Sequence, residues 1–498
     1  MVTNRLSILV QISSILLCFP ILVVYALTKL IPHFLTKINF RFYKLTRKSS
    51  YRSLSNFTPK TILVTGGKMS KSLHISRCLW KAGHKIILVE TDQFKHFCGA
   101  KFSKSVSHFE TVPDPKQSPE KYLNTLEQIF YKHQCDYFLP VSSPVSSIYD
   151  AQFLRSRPAT NLQFGKHICE ILDNKHMFAK FCAADLNMGE DHCLETVLIE
   201  SDKDAYELNE RLQGSNEKKF VIKNLGYDPL HRLDLFTLPT SAEKLEAYLE
   251  KISLDGNSIT KSSPWQAQTF VENGVEYTSM AIVKNCELRL STHARSSSSQ
   301  LRYTHTDQDA CEDWLKKFCE GLKNSGRYEN FSGFLCFDFM VKNNQAFAIE
   351  CNPRFHSQCC VFNEPQEQLF FARSLLGQSE DGENLSEISC GCEECKQFIQ
   401  TKTKAIAFGK PVLSENVYHG WILNEIFNQI FSSYKISDKY QYKGKRFEDS
   451  DFDVEDISPF FARNLLQPIG MLLKTFWSGN DWVKYDFCIG KVVEKNGD

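Results

Sequence analysis

Residues 333–356 constrain the fold of this chain most strongly, because their pattern is typical of two strands joined by a short turn. Two runs rich in apolar side chains, 334–341 and 346–351, flank the polar tetrapeptide 342–345. Apolar runs separated by a few polar, turn-forming residues favour a β-hairpin. The sequence therefore predicts an antiparallel pair of strands with its turn centred near Asn344.

The predicted hairpin brings two carboxylates together. With the turn centred near Asn344, Asp338 lies directly opposite Glu350, and their Cβ atoms are about 5 Å apart. Side chains alternate between the two faces of a strand, so Asp338, Glu350 and Asn352 share one face. The same alternation predicts four apolar side chains on the other face: Phe337, Phe339, Phe347 and Ile349.

The shared face has the chemistry of a magnesium site. Mg²⁺ prefers oxygen ligands and leaves positions open for phosphate oxygens, which suits the two carboxylates and the amide of Asp338, Glu350 and Asn352. Acidic side chains are also common on solvent-exposed strand faces. The spacing alone therefore leaves two interpretations open: a magnesium site and a solvated polar face.

The charges divide the chain into a basic beginning and an acidic remainder. The first acidic residue is Glu90, and fourteen Lys or Arg residues precede it. Because the whole chain has 59 basic and 58 acidic residues, residues 90–498 carry a formal charge of −13. Nucleic-acid binding depends on a compensating basic face, and no such face is evident in the acidic remainder. We therefore expect no nucleic-acid partner.

An uncharged apolar run near the beginning of the chain predicts membrane association. Residues 6–28 contain no charged side chain and are rich in Leu, Ile and Val. A helix of this length reaches about 35 Å, enough to cross the hydrocarbon of a bilayer. Seven Lys or Arg residues follow from Lys29 to Arg52, against only Arg5 before the run. By the positive-inside rule we expect a single transmembrane helix, with the rest of the chain on the cytoplasmic side.

Two alternatives to this anchor remain open. One is a cleaved signal peptide, although the run is long for a signal-peptide core and no clear small-residue cleavage site follows it. The other is an amphipathic or protein-buried segment.

The cysteines favour a reducing compartment. The chain has 18 of them, dispersed through helix and strand patterns rather than clustered in a small secreted framework. The densest group is Cys390, Cys392 and Cys395, which has metal-like spacing but no obvious fourth ligand nearby. We interpret it as a loop with incidental thiols.

Strand and helix patterns predict an α/β domain followed by an α+β domain. After the anchor and basic segment (1–56), residues 57–157 alternate strand and helix signals, which predicts a Rossmann-like domain. This domain lacks the G-x-G-x-x-G fingerprint, so we expect a structural rather than a dinucleotide-binding role. Residues 158–376 predict the α+β domain, and a connector with a helical, aromatic region fills 377–498.

Residues 158–376 resemble the ATP-grasp ligases in the order and spacing of their polar residues. The resemblance is carried by Lys175, Lys223, a strand and turn at 268–271, Glu276, and the trio Asp338, Glu350 and Asn352. It implies an ATP-grasp fold and an ATP-dependent carbon–nitrogen ligase. It also implies that ATP binds together with two Mg²⁺ ions that bridge and neutralise its phosphates.

The same resemblance implies a role for each of these residues. Lys175 and Lys223 would hold ATP phosphates as point charges. The remaining roles would be adenine contact by Gln268, a backbone hinge at Phe270 and Val271, ribose contact by Glu276, and metal binding by Asp338, Glu350 and Asn352.

The phosphate loop departs from the family pattern. In the family this loop is rich in glycine, so that backbone N–H groups can close on the nucleotide. Here residues 224–232 contain a single glycine, Gly226. We expect His231 and Arg232 to replace some backbone donors by side-chain charge, which would suit an anionic, ring-shaped acceptor as well as ATP.

Four stretches resemble a narrower group, the ATP-grasp enzymes of mycosporine biosynthesis. They are 352–357, 418–421, 459–461 and 482–491. This resemblance implies that glycine, or another amino acid, is joined to the cyclohexenone 4-deoxygadusol through a phosphorylated enol. Such chemistry needs cations near the enolate and the leaving phosphate. The candidates are Arg354, just beyond the metal strand, and His293 and Arg295, at the end of a predicted strand.

Two other functions remain open. The first is an ATP-grasp ligase of the acyl-phosphate type, which joins a carboxylate to an amine. The second is an ATP-binding membrane scaffold without turnover, against which the presence of Asp338, Glu350 and Asn352 together argues.

Overall fold

The structure is a computed structural model that combines α/β and α+β architecture, as the sequence predicts. It describes residues 2–44, 59–141, 147–153, 164–189, 191–214, 218–226, 234–297, 301–328, 330–376, 413–430 and 442–494. These residues contain one parallel and two antiparallel four-stranded sheets, with two short two-stranded sheets. The predicted thiol loop with Cys390, Cys392 and Cys395 lies outside them. Every cysteine in the described part is a free thiol.

The chain begins with two helices in line, α1 (Val2–Leu17) and α2 (Phe19–Lys44), separated by Cys18. Residues Arg5–Leu35 are long and apolar enough to cross a membrane by length and composition. One side of these helices packs against the C-terminal region, and the other side is exposed.

The Rossmann-like domain contains a parallel sheet of order β3-β2-β1-β4, whose inner strands, β1 and β2, are buried on both faces. Side chains of β1 alternate between two cores, with Ile62 and Val64 in one and Leu63 in the other. Such double burial is why the strands of a parallel sheet are nearly all apolar. The domain's elements are β1 (Thr61–Val64), α3 (Ser70–Lys81), β2 (Lys85–Thr91), β3 (Val106–Val112), α4 (Pro119–Lys132), β4 (Tyr137–Leu139) and α5 (Ser147–Phe153).

The α+β part contains two antiparallel sheets, each packed against helices. The smaller sheet is formed by β5 (Thr196–Ile199), β6 (Phe220–Asn224), β7 (Thr237–Leu238) and β8 (Trp265–Thr269), in the order β5-β8-β6-β7. The helices in this part of the sequence are α8 (Asp202–Gln213) and α9 (Ala242–Leu254). The larger sheet is formed by β9 (Val275–Lys284), β10 (Glu287–Arg295), β11 (Gly333–Lys342) and β12 (Gln345–Asn352), in the order β10-β9-β11-β12. The helices that accompany it are α6 (Lys166–Asp173), α7 (Lys175–Lys180), α10 (Asp309–Asn324) and α11 (Pro365–Leu376).

The predicted hairpin forms, but its turn lies half a residue earlier than expected. Lys342 pairs with Gln345, so the turn consists of Asn343 and Asn344 alone. Both have positive φ, 52° and 58°, a conformation that asparagine adopts readily in two-residue hairpin turns. In the uninterrupted register of this turn, Asp338 would lie opposite Ile349.

A β-bulge at Ile349 restores the predicted carboxylate pair. The ladder skips this residue, so Asp338 pairs with Glu350 after all. A bulge places two residues opposite one and shifts the alternation of faces beyond it. The prediction that Phe347 and Ile349 share a face with Phe337 and Phe339 is therefore wrong. The residues of β12 that join these two phenylalanines in the core are Ala346, Ala348 and Cys351.

The C-terminal region packs on the Rossmann-like domain through a buried polar network. Arg77 of α3 donates from Nε to Asp456 Oδ2 (2.9 Å) and from Nη1 to the Asp451 carbonyl (2.9 Å). Asp456 also accepts from the Lys104 N–H (2.9 Å). The elements of this region are β13 (Val417–Gly420), α12 (Ile422–Ile430), β14 (Arg446–Asp449), α13 (Ser458–Phe461), α14 (Gln467–Ser478), β15 (Trp482–Asp486) and β16 (Lys491–Glu494).

Replacing Arg77 tests this network. We expect Arg77→Ala to lower the free energy of unfolding by about 3–5 kcal/mol, because it leaves the buried Asp456 carboxylate without its cation. Arg77→Lys keeps a positive charge and should cost less. The measurement is the midpoint of the first urea-induced transition. Arg211→Ala, on the exposed side of α8, is the matched control and should change stability by less than about 0.5 kcal/mol.

Candidate functional site

The candidate site lies where the smaller sheet meets the predicted hairpin. In β8, Trp265 and Ala267 enter the core under α8 and α9, so Gln266 and Gln268 point away from those helices. The Gln268 Nε2 donates to the carbonyl of Ile349, the bulged residue of β12, at 3.1 Å. This bond places the helix-free face of the smaller sheet against the strand that carries Glu350.

Asp338 and Glu350 lie side by side on the face of the hairpin opposite to its phenylalanine core. Burial raises the pKa of Asp338 well above its usual range, and the negative charge of Glu350 raises it further. A protonated Asp338 donates a hydrogen bond to Glu350, so without a cation the pair holds one proton between two carboxyl groups.

Glu350 is the ionised member of the pair because lysines surround it. Its carboxylate lies 2.7 Å from Lys175 Nζ. Burial favours the neutral acid, but Lys175, the hydrogen bond from Asp338 and the more distant charge of Lys223 together lower the pKa of Glu350 below its usual range. Lys175 is the first residue of α7. The N-cap of this helix is Asn174, whose side chain accepts hydrogen bonds from the N–H groups of His176 and Met177.

The structure brings Asn352 and Arg354 into the same cluster. The Asn352 amide lies 3.4 Å from Glu350 Oε1. Its oxygen accepts a hydrogen bond from the Arg354 guanidinium, which also donates to Asp173 at the end of α6. Arg354 is thus held between one of the predicted metal ligands, Asn352, and the carboxylate of Asp173.

Gln266 is a candidate site residue that the sequence analysis missed. It pairs with Lys223 across β8 and β6 and points to the same face as Lys223 and Gln268. It is fully buried, yet among the residues that the structure describes neither its amide nitrogen nor its amide oxygen has a partner. Buried amides are nearly always hydrogen-bonded, so this one is suited to a ligand. The available signal was its i, i+2 spacing from Gln268 on one strand.

The predicted hinge, Phe270 and Val271, follows β8 and offers one backbone N–H group to a ligand. The Phe270 N–H is already bonded to the Lys219 carbonyl at 2.7 Å. Within the described residues the Val271 N–H has no partner, whereas the Val271 carbonyl accepts from the Gly274 N–H (3.2 Å). The hinge can therefore offer a donor at Val271 and a carbonyl at Phe270.

Glu276 lies on the same face as the carboxylate pair. It pairs with Met340, two residues along β11 from Asp338, and its side chain is exposed. Its charge is close enough to contribute to the raised pKa of Asp338.

The structure removes His293 and Arg295 from the predicted site. His293 pairs with Ser279, which in turn lies beside Phe337 on the core face of the sheet. Its ring bonds the Ser279 hydroxyl (2.7 Å) and lies 3.3 Å from Glu312 of α10. Arg295 is two residues after His293 on β10, so its side chain points to the same face as His293 and away from Asp338. The sequence located the strand correctly but could not show which face these side chains take.

The other two predicted catalytic residues, His231 and Arg232, lie outside the described residues, as does most of the phosphate loop. Only its first residues are described, where the Gly226 N–H donates to Asn224 Oδ1 at 2.7 Å.

The donor set fits a cation that binds together with a ligand. In the described part of the chain no three His, Cys, Asp or Glu side chains are grouped closely enough to hold a metal ion. Two carboxylates and an amide oxygen supply only part of a magnesium shell, and Mg²⁺ commonly completes it with phosphate oxygens and water. Asp338, Glu350 and Asn352 therefore have the chemistry of a magnesium–nucleotide site.

Comparison with known proteins gives distant structural similarities only. No protein-family model and no curated protein sequence matches the chain. Among solved structures, an L-amino acid ligase from Bacillus licheniformis is 12% identical with a TM-score of 0.46 over 66% of this chain and 78% of that one. An N5-carboxyaminoimidazole synthetase from Staphylococcus aureus, complexed with ADP, is 16% identical with a TM-score of 0.44 over 64% and 78%. A biotin carboxylase complex from Campylobacter jejuni is 14% identical with a TM-score of 0.46 over 65% and 72%.

The carboxylate pair predicts a pH-dependent stability. Above about pH 5 Glu350 is ionised in both the folded and unfolded states, whereas Asp338 binds a proton more tightly in the folded state. Stability should therefore fall as the pH rises from about 5 through the raised pKa of Asp338. Asp338→Asn should remove this loss and raise the melting temperature at pH 8 by about 2–4 °C per kcal/mol recovered.

The measurement is thermal unfolding without nucleotide or metal at pH 5.5 and pH 8. Asp313→Asn, on the exposed side of α10, is the control and should leave both midpoints unchanged. An Asp338→Asn protein with the same pH dependence as the wild type would contradict the assignment of the proton to this pair.

Proposed function

We propose that the chain is an ATP-dependent carbon–nitrogen ligase of the ATP-grasp type. The observation that carries the proposal is the cluster of Asp338 and Glu350 with Lys175, into which the charge of Lys223 reaches from a second sheet. Carboxylates that would hold Mg²⁺, faced by lysines from two elements, match the needs of a bound triphosphate. Positioning and charge neutralisation are the main protein contributions to phosphoryl transfer.

In this proposal, the cleft between the two sheets binds ATP. Phosphate oxygens and Mg²⁺ would replace the present contact of Lys175 with Glu350, which frees the lysine to hold a phosphate. The adenine would lie against the hinge at Phe270 and Val271, with Gln268 and Gln266 beneath it or beside the phosphates. Glu276, exposed on the same face, would accept hydrogen bonds from the ribose.

The acceptor would bind beyond the metal ligands, where Arg354 follows β12. The resemblance of 352–357 and 482–491 to the mycosporine enzymes supports a narrower proposal, a mycosporine-glycine synthase. The reaction would transfer the γ-phosphoryl group of ATP to the enol oxygen of 4-deoxygadusol. The glycine amine would then form the new C–N bond as the C–O bond to phosphate breaks, with release of ADP, phosphate and a proton.

The test is incubation of the full-length protein in detergent with ATP, Mg²⁺, 4-deoxygadusol and glycine. We expect ADP release together with an ultraviolet-absorbing enaminone of the mass of mycosporine-glycine. Asp338→Asn and Glu350→Gln should each reduce ADP release at least 100-fold, because each removes charge from the metal site. Lys175→Ala should also do so, whereas Lys219→Ala, a surface lysine paired with Glu272, should not.

The outcomes separate the competing functions. ADP release with a carboxylate and an amine, but not with the cyclohexenone, would replace the narrower proposal by an acyl-phosphate ligase. ATP binding without ADP release for any acceptor and amine pair would overturn the ligase and favour a scaffold.

Gln266 provides an independent test of where ATP binds. Gln266→Leu should leave the melting temperature of the free protein unchanged or higher, because it removes a buried amide that has no partner. The same change should weaken ATP binding about tenfold, which corresponds to one lost hydrogen bond of about 1.4 kcal/mol. The measurements are thermal unfolding and calorimetric titration with a non-hydrolysable ATP analogue.

Gln358→Leu is the matched control, since the Gln358 side chain is equally buried and likewise has no partner in the described part of the chain, but lies in the turn after β12. It should not change ATP affinity. A Gln266→Leu protein that loses stability but binds ATP normally would assign Gln266 a structural role.

A further inference from the structure

The outer side of the two N-terminal helices forms a long apolar surface. Twelve large apolar side chains between Leu6 and Leu35 are 45–78% exposed. They form more than half of the large, exposed apolar side chains in the described part of the chain. They are Leu6, Leu9, Val10, Leu16, Leu17, Phe19, Ile21, Val24, Leu27, Ile31, Phe34 and Leu35.

The inner side of the same helices is a stripe packed against the C-terminal region. Its buried members, spaced three, four or seven residues apart, are Ile8, Ile15, Cys18, Leu22 and Ala26. Such spacing is that of one face of a helix. The helices are therefore two-sided: one apolar face packs on the protein, and the opposite apolar face is not covered by any residue that the structure describes.

Polar contacts join these helices to the C-terminal region at both ends of the stretch from Ser7 to Lys29. Near the beginning, the Trp482 Nε1 donates to the Ser7 hydroxyl at 3.3 Å. Near the end, the Asp449 N–H donates to the Tyr25 hydroxyl at 2.8 Å, and Lys29 Nζ lies 2.6 Å from Glu448. Ser7 and Lys29 are 22 residues apart, which is about 33 Å along a helix.

These contacts are incompatible with a helix that crosses a bilayer. The hydrocarbon is about 30 Å thick, so a crossing helix would use all of the length that now contacts the C-terminal region. Either β14, which carries Arg446, Glu448 and Asp449, would enter the hydrocarbon at a cost of several kcal/mol per charge, or every contact would break.

The apolar surface continues onto the C-terminal region. α1 packs on α14 and on the turn before it, and Arg5 lies over the ring of Phe476, 5.4 Å from its centroid. Leu466, Leu473 and Trp477 of this neighbouring segment are 60%, 40% and 78% exposed. An exposed tryptophan beside apolar residues is typical of the boundary between lipid headgroups and hydrocarbon.

In the sequence, the last part of these helices and the segment after them carry charges that anionic lipids attract. Seven Lys or Arg residues lie between Lys29 and Arg52, and no acidic residue precedes Glu90. Each basic residue held near an anionic leaflet contributes about 1 kcal/mol to membrane binding. The apolar face is thus complementary to the hydrocarbon layer of a leaflet, and the basic segment to its anionic headgroups.

We propose that the paired N-terminal helices lie in the plane of one leaflet of an anionic membrane, with the outer face in lipid and the inner face on the protein. This arrangement replaces the single-pass anchor expected from the sequence. The N-terminus and the rest of the chain then lie on the same side of the membrane. The proposal is independent of the ligase function.

The first test is flotation of the full-length protein with phosphatidylcholine vesicles that contain or lack phosphatidylserine. We expect binding that is at least tenfold stronger with phosphatidylserine. The triple variant Leu16→Glu, Val24→Glu, Trp477→Glu should lose at least nine-tenths of its binding with an unchanged melting temperature, because these side chains are 55%, 59% and 78% exposed. Leu254→Glu and Leu235→Glu, at exposed sites elsewhere, are the control.

The second test separates an in-plane helix from a spanning one. Sealed membrane vesicles from cells that express the chain with an N-terminal epitope tag are treated with external protease. We expect the N-terminal tag and the rest of the chain to be either both cleaved or both protected. A tag protected while the body is digested would overturn the proposal in favour of a spanning helix.

A second copy of the chain is the competing occupant of the apolar face. If the triple variant turned a dimer into a monomer and still floated with phosphatidylserine vesicles like the wild type, the face would be an oligomer interface and the membrane proposal would be overturned.

Discussion

The arrangement of the candidate site depends on two carboxylates held side by side on adjacent strands. Asp338 and Glu350 repel each other when both are ionised, and the folded chain offsets this repulsion with a shared proton and the ammonium of Lys175. Both compensations are removable: a divalent cation can replace the proton and a phosphate can attract the lysine. The repulsion between Asp338 and Glu350 lowers the stability of the ligand-free protein, and a charged ligand that relieves it binds more tightly for that reason.

Alternation along strands allowed much of this site to be predicted from sequence. The hairpin, the opposition of Asp338 and Glu350, and the strand before Asn352 all follow from apolar runs around a polar turn. The pairing was correct for a partly wrong reason, because the turn lies half a residue earlier and the bulge at Ile349 compensates. The hairpin pattern carried no signal for this bulge, whose carbonyl accepts a hydrogen bond from Gln268 of another sheet.

Residues whose placement depends on a third strand were harder to predict. His293 follows an apolar strand as expected, but its face is set by the register of β10 on β9, and this register puts it beside Glu312. Likewise, the apolar run 6–28 is a membrane signal by composition. Only the tertiary contacts of its inner side with the C-terminal region distinguish a helix in the membrane plane from one that crosses it.

The bond between Gln268 and the Ile349 carbonyl couples the two halves of the cleft. Because the bulge sets which residue opposes Asp338, a rigid-body rotation of the smaller sheet would pull on the backbone next to Glu350. Opening of the cleft and the spacing of its acidic groups are therefore mechanically linked. A ligand held between the two sheets would act on the acidic pair through this bond as well as through its own charge.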